Sequence, residues 1–370
     1  MPEVTVIGAG PVGLLMAAEL QRRGVDAQLV EQRVHSRLGT RAIGVHPPVL
    51  AALEGSGITE QLLAQALRIG AGEARSAGRV LGTVRFDRLN TRFPFVATLP
   101  QAATEQVLAS RAPQPQRGVG ITALRAHRDC VEWDTEAGAQ RSPLVVLAAG
   151  ARSRGLVYRR PESQLYADRY LMTDAHVEGD PDPGTAIVHL GESGVLESFP
   201  LPGGRRRLVA WDPGPTSSDP DQQRGRMDQA LRGRADAVVE QVSSFGVRRF
   251  VAPRMRNHRL FVIGDCAHEV SPIGGQGMNL GLLDAATLAP LLAQWVAAGG
   301  PPEDALHRWE QARLRSARRA AMLAELNTRL GRPAGSGTDA LRRAGLRTML
   351  SPGPSRLFAH AYAMGGDAHA

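Results

Sequence analysis

The stretch that most restricts the fold lies near the N-terminus, where Gly8-Ala9-Gly10-Pro11-Val12-Gly13 joins an apolar run to a helix-like one. Val4 to Ile7 is β-branched and apolar, and Pro11 to Arg23 has helical spacing and stops at Gly24. This order reads as strand, tight turn, helix and C-cap. Ala27 to Val30 is a second apolar strand ending in Glu31, which completes a βαβ unit with a right-handed crossover. In such a unit the first glycine permits the turn, Gly10 lets a pyrophosphate approach the main chain, and Gly13 lets the helix pack closely. A carboxylate at the end of the second strand accepts hydrogen bonds from ribose hydroxyls. A dinucleotide site is the expectation.

Further along, Pro47 to Leu53 and Thr59 to Leu67 predict two helices, and Thr104 to Ala109 a short one. Leu144 to Ala149 is apolar throughout, as in a strand buried in a parallel sheet. Between Ala186 and Asp212 the pattern changes to short strands separated by glycine or Pro-Gly turns, which predicts antiparallel sheet. Pro213 to Arg226 is polar and proline-rich and reads as a loop. Arg308 to Leu330 predicts an amphipathic helix with a solvated arginine face, and the tail after Gly331 reads as partly ordered at best.

A second glycine-rich stretch lies toward the other end. Arg259 to Ile263 predicts a buried strand leading into Gly264-Asp265-Cys266-Ala267-His268, and Pro272-Ile273-Gly274-Gly275-Gln276-Gly277-Met278-Asn279 follows. Asp265 leaves the strand where it could hold a ribityl hydroxyl. The loop offers main-chain amides, and the helix starting near Met278 turns its positive end toward whatever lies there. An anionic reduced flavin suits such an end.

Composition excludes several alternatives. All 44 basic residues are arginine, so Walker A and Schiff-base lysine chemistry are absent. The formal charge of +8 is spread among interleaved acids, without a basic arm or helix-turn-helix pattern, and predicts no nucleic-acid partner. A positive field suits an anionic cofactor such as NADPH. Cys130 and Cys266 form no metal or disulfide pattern, and Cys266 reads as a small buried hydrophobe. The N-terminus enters a strand at once and no uninterrupted apolar span is found, so the expectation is a cytoplasmic protein without a signal peptide or membrane segment.

The chain resembles the class A flavin-dependent monooxygenases, typified by para-hydroxybenzoate hydroxylase. The resemblance is carried by the glycine fingerprint, Glu31-Gln32-Arg33, Arg41 to His46, Leu99-Pro100-Gln101, the Leu201 to Gly204 turn, and Gly264-Asp265 through Asn279, spread over about three quarters of the chain. It implies FAD reduced by NADPH or NADH, O2 added at flavin C4a, and hydroxyl transfer from the hydroperoxide to a small aromatic or polyketide-like substrate. By the same resemblance Gly8, Gly10, Pro11, Val12 and Gly13 meet the cofactor. Glu31, Gln32 and Arg33 serve its adenosine end, and Arg41 and Gln101 lie along its pyrophosphate and ribityl chain. Gly264 and Asp265 hold the ribityl group, Pro272 flanks the ring, and Gly275, Gln276, Gly277, Met278 and Asn279 cradle its pyrimidine edge.

One motif departs from the family. Where the family has Asp-Gly followed by Ser and Arg, this chain has Ala149-Gly150-Ala151-Arg152-Ser153 with Leu156 at the arginine position. Alanine offers no side-chain acceptor, which weakens the case for NADPH use. His189 and Tyr166 are candidate groups to deprotonate a phenol, and His268 reads as structural. The predicted architecture is α/β: a Rossmann-type FAD-binding domain from residues 1–154 and 256–330, an inserted, mainly antiparallel β-sheet substrate domain at 155–255, C-terminal helices, and a tail at 331–370. Two other readings stay open: an FAD-dependent reductase of the geranylgeranyl-reductase type, and a catalytically silent FAD-binding protein.

Overall fold

A computed structural model describes residues 2–35, 42–159, 161, 163–177, 179–180, 182–215, 217 and 219–367. Arg41 lies outside them. Val4–Ile7 forms a strand because its four side chains are all buried, and it runs parallel to Ala27–Glu31 on one side and Leu144–Leu147 on the other. Leu260–Val262 extends the sheet in parallel beyond Leu144–Leu147. Gln116–Arg117 and the antiparallel Arg256–Asn257 form its edges, giving six strands. Uniformly apolar strands belong in a parallel sheet covered on both faces. The core against it draws on both ends of the chain, with Leu15, Val146, Phe261 and Leu283 each essentially inaccessible.

Helices Pro11–Arg22 and Gly277–Ala298 pack directly against each other. A Cβ on Gly281 would lie 2.5 Å from Val12 Cγ2 and 3.0 Å from the Gly264 Cα, so only glycine permits this approach. Helix Gly277–Ala298 has the length and apolarity to cross a membrane, yet most of it is buried within the fold. It also carries Asp284, fully enclosed and paired with Arg313 Nε at 2.8 Å and His268 Nε2 at 2.6 Å.

A second large sheet has eight strands, in the order His268–Glu269, Ser243–Val251, Gln164–His176, Arg205–Trp211, Leu196–Leu201, Thr185–His189, Ala71–Ser76 and Arg79–Arg85. It is antiparallel except where Thr185–His189 runs parallel to Ala71–Ser76. That pairing brings in a hairpin from well before residue 155, joined through a long crossover as parallel pairing requires. One face packs Leu171, Leu196, Leu208 and Ala210 against Met227 and Leu231. The opposite face looks toward the C-terminal helices.

The structure differs from the sequence expectations in three places. The helix expected over Thr59 to Leu67 spans only Ile58–Leu63, and Leu67–Ile69 instead pairs with Val96–Thr98. The expected loop at Pro213 to Arg226 contains most of a helix, Pro220–Leu231, with Asp219 accepting the N–H groups of Asp221 and Gln222 and Pro220 in the first turn. Its polar composition hid a single buried stripe, Gln223, Met227 and Leu231, spaced four apart. The tail after Gly331 forms helices Ser336–Met349 and Pro354–Tyr362. Arg342 ties the first to the body by donating to the carbonyls of Leu330, Arg332 and Gly191, each at 2.8 Å.

Gly281→Ala is expected to lower unfolding stability by about 1–3 kcal/mol through overpacking. Adding Val12→Ala should recover part of the loss, read from urea unfolding of the single and double variants. Full stability in Gly281→Ala alone would contradict the close approach.

Candidate active site

The N-terminal glycine turn is built for main-chain contact. Gly8 holds a φ of +108°, and a Cβ there would lie 2.6 Å from the Ala148 carbonyl oxygen. A Cβ on Gly13 would fall 1.8 Å from the Gly8 carbonyl, so the helix starts hard against the strand. Gly10, by contrast, faces open space for at least 4 Å, and no side chain caps the helix that follows. Its first N–H groups and positive end are therefore available to an anion. Pro11 and Val12 begin that helix, both half-buried.

Glu31 is buried and ends the neighbouring strand. Its carboxylate accepts the Ala9 N–H at 2.8 Å, the Arg33 N–H at 2.9 Å, and Nε and Nη2 of Arg33 at 2.8 and 3.1 Å. Burial raises its pKa, but the Arg33 and Ala9 bonds outweigh that and leave it lowered. Gln32 and Arg33 are exposed beside it. Gln101 is half-buried at the start of helix Gln101–Ala109, where its Oε1 accepts the Ala42 N–H at 3.2 Å.

The second glycine stretch is held by buried polar groups. Asp284 Oδ2 accepts the Gly264 N–H at 3.0 Å as well as bonding His268, which places His268 in a structural role. Burial pushes the Asp284 carboxyl up, but His268 and Arg313 outweigh it and bring it down to about 2. Asp265 is exposed, and its carbonyl accepts Nε and Nη2 of Arg154 at 3.1 and 2.6 Å. Arg154 is itself buried, bonds Glu269 at 2.7 Å and lies 4.3 Å from the centre of the Phe250 ring. A guanidinium thus joins the middle motif to the second glycine stretch, from two residues before Leu156. Burial pushes the Cys266 thiol up to about 12, which keeps it an inert thiol.

Asn279 and Gln276 have their side chains committed to the protein. Asn279 Oδ1 accepts the His46 N–H at 2.9 Å, and its Nδ2 donates to the carbonyls of Gly44 at 2.8 Å and Gly275 at 3.1 Å. Gln276 donates to the carbonyls of Ala361 and Tyr362 at 3.0 and 3.3 Å, which fixes the last helix to the glycine loop. Pro272, Gly275, Gly277 and Met278 remain half-buried along that loop.

Beside the loop opens a cavity of about 240 Å³, bordered by Pro272 to Gly275, by one face of the eight-stranded sheet, and by Leu330, Leu346 and Phe358 from the C-terminal helices. Its walls are mainly apolar. Two buried polar groups stand out among the described residues. His46 Nδ1 has no hydrogen-bond partner, and burial brings its imidazole down to about 4, so it is neutral. Glu197 is 4% exposed, no hydrogen bond from the described residues reaches its carboxyl, and burial raises it to about 8.

Val188 and Leu190 border the cavity, whereas His189 between them does not; the two-residue period of a strand turns it to the other face. Burial and the nearby Arg75, Arg234 and Arg206 bring His189 down to about 4. Tyr166 packs beside the apolar cluster that contains Tyr170 and Phe245 and is likewise outside the cavity lining. Sequence reasoning missed Glu197, Arg154 and the C-terminal wall. The available signal for Glu197 was its parity: in the strand run it shares a face with Val195 and Phe199, where an acid is out of place.

A sequence profile described as an FAD binding domain matches residues 1–324. The 6-methylpretetramide 4-monooxygenase of Streptomyces rimosus is 34% identical over 338 residues, 85% of this chain and 59% of that protein. The chain belongs to the class A FAD-dependent monooxygenase family. Within this monooxygenase family, a rifampicin monooxygenase of Streptomyces venezuelae is 29% identical over 85% of the chain and 68% of its own length. The chain therefore spans about three fifths to two thirds of these curated relatives. The crystal structure of p-nitrophenol 4-monooxygenase PnpA from Pseudomonas putida DLL-E4 shares the fold, with a TM-score of 0.88 at 21% identity and 98% coverage of both chains.

Glu197 gives this member of the family a pH signature. Its carboxyl titrates near 8 when folded and near 4.5 ordinarily. The folded state thus binds the extra proton between those values, and the associated stability, complete below 4.5, is lost as pH rises toward 8. Glu197→Gln removes the titration. Its melting temperature relative to the native protein should climb by several degrees from pH 5 to pH 8 and then level; a flat difference would refute the buried acid.

Proposed function

We propose that the chain is an FAD-dependent monooxygenase that hydroxylates a neutral aromatic or polyketide-like small molecule, using NADPH or NADH and O2. The observation that carries this is the cavity, which borders the second glycine loop directly and has apolar walls suited to a ring system. The relatives whose names specify 6-methylpretetramide and rifampicin as substrates support the substrate class.

The residues present fit FAD. Open space in front of Gly10 and Gly150, with an uncapped helix start behind the first, leaves room for phosphates against main-chain N–H groups. Gly8, Gly10, Pro11, Val12 and Gly13 would hold the pyrophosphate, and Glu31 the adenosine ribose. All four acceptor positions of Glu31 are already filled, so a ribose hydroxyl would replace one of the bonds from the exposed Arg33 side chain. Gln32 and Gln101 would border the cofactor, and Asp265 would hold the ribityl chain. Pro272, Gly275, Gly277 and Met278 would face the ring. Gln276 and Asn279 would act at one remove, by fixing the loop that carries these residues, and Gly264 by joining that loop to the first helix. When bound, FAD supplies hydride acceptance from the nicotinamide and activation of O2. The protein's own task is to orient the substrate and keep water from the reacting centre, which the C-terminal helices serve by walling the cavity.

In domain terms, residues 1–154 and 256–330, less the hairpin Ala71 to Arg85 and the edge strand His268–Glu269, form a Rossmann-type FAD-binding unit, and 155–255 with that hairpin and edge strand form the substrate sheet. The fold and its buried apolar helix suit a cytoplasmic enzyme. Ala149 favours a second reading, a silent FAD-binding protein, because the family's acid is missing there.

One assay separates the readings. With bound FAD, NADPH and a phenol under ¹⁸O₂, the expected result is phenol-stimulated NADPH oxidation and ¹⁸O in the product. Reduction without O2 demand would favour a reductase, and no NADPH oxidation by the native protein would favour the silent reading, with an unchanged Ala149→Asp counting against Ala149 as its cause.

A further inference from the structure

We propose that Glu197 is the substrate-selecting residue of the cavity, hydrogen-bonding the hydroxyl of a neutral phenolic ring system and turning away aromatic acids. This rests on the reading of the cavity as the substrate chamber.

The argument begins with the sheet. Cross-strand partners place Ala74, Val188, Glu197, Val209 and Met172 in one row across the face that borders the cavity. Four of the five are apolar, and the acid stands in the middle. Side chains in such a row neighbour one another, so Glu197 is hemmed in by hydrocarbon on both sides along it. A carboxyl in that position without a hydrogen-bond partner is costly, and buried polar groups are as a rule satisfied. No hydrogen bond from the described residues satisfies this one, so its carboxyl is available to a ligand that enters the cavity.

The chemistry of the partner follows from the rest of the wall. A carboxyl carrying its proton both donates and accepts, and so does a phenol hydroxyl, so the two can meet through complementary roles. An aromatic carboxylate needs a cation instead. Arg207 is the basic side chain on the described wall, and Asp174 engages it through Nε at 2.6 Å and Nη2 at 2.7 Å. His46 is neutral. A carboxylate ligand would therefore bring a charge into a chamber that already contains an acid and offers it no uncommitted cation among the described residues. Glu197 also stands on a strand interior rather than a loop, the kind of rigid position from which a single hydrogen bond discriminates well.

The test is calorimetric titration of the FAD-loaded protein with 2-naphthol, 2-methoxynaphthalene and 2-naphthoate. The native protein should bind 2-naphthol at least about tenfold more tightly than either analogue, the discrimination expected of one buried hydrogen bond. Glu197→Leu should lose about tenfold in 2-naphthol affinity and bind 2-methoxynaphthalene as well as 2-naphthol, while Glu197→Gln, whose amide also donates and accepts, should keep most of it. Circular dichroism and FAD uptake check that the variants fold; if the leucine variant fails there, the native comparison of 2-naphthol with its methyl ether still decides. Equal affinity for 2-naphthol and 2-naphthoate, no preference over the methyl ether, no 2-naphthol binding, or unchanged 2-naphthol affinity in a folded Glu197→Leu would overturn the proposal. Selective naphthol binding without ¹⁸O transfer would sink only the monooxygenase reading, and ¹⁸O transfer with an indifferent Glu197 only the selection.

Discussion

Val12 packs against two glycines that belong to the far end of the chain, and the rest of the molecule is arranged around that contact. Gly264 and Gly281 leave just enough room for its methyl groups, so the Val12 side chain is what the first helix sets against the turn after Leu260–Val262. Such an approach gains dispersion contacts in the densely packed interior and forbids nearly any substitution at the glycines. It also brings together two glycine-rich segments separated by more than two hundred residues.

Hydrocarbon packing sets the distance between these segments, and buried polar groups set their orientation. Asp284 holds the Gly264 N–H, His268 and Arg313 with a single carboxylate, and Asn279 bridges Gly44, His46 and Gly275. Arg154 reaches the Asp265 carbonyl from the middle of the chain. These bonds are directional and most of them are buried, so a loop rich in glycine, which would otherwise sample many shapes, is restrained.

The parallel-sheet half of the fold was legible in the sequence because its signals are local. Gly8 to Gly13, Glu31 and the Gly264 to Asn279 stretch each combine a strand, a turn and a helix start within a few residues. The eight-stranded sheet was less legible because its character depends on cross-strand registry. Glu197 is one acid within an ordinary strand until Val188 and Val209 are placed on either side of it. His189 looked suitable by residue type and lies on the wrong parity. Pro220–Leu231 was hidden because only three of its residues are buried, and the helices after Gly331 because their apolar positions are covered by distant elements rather than by sequence neighbours. Arg154 illustrates a different limit, since position within a motif suggested a missing arginine while a nearby one extended to the second glycine stretch.

Gln276 spans the boundary between the two halves, its amide gripping the carbonyls of Ala361 and Tyr362. The second glycine loop and the helix Pro354–Tyr362, whose Phe358 lines the cavity, are thereby one mechanical unit. A polypeptide ending at Leu330 would lose the carbonyls of Ala361 and Tyr362 that hold Gln276, together with the Leu346 and Phe358 wall of the cavity. The shape of the second glycine loop and the closure of the cavity beside it therefore share one support, the helix Pro354–Tyr362.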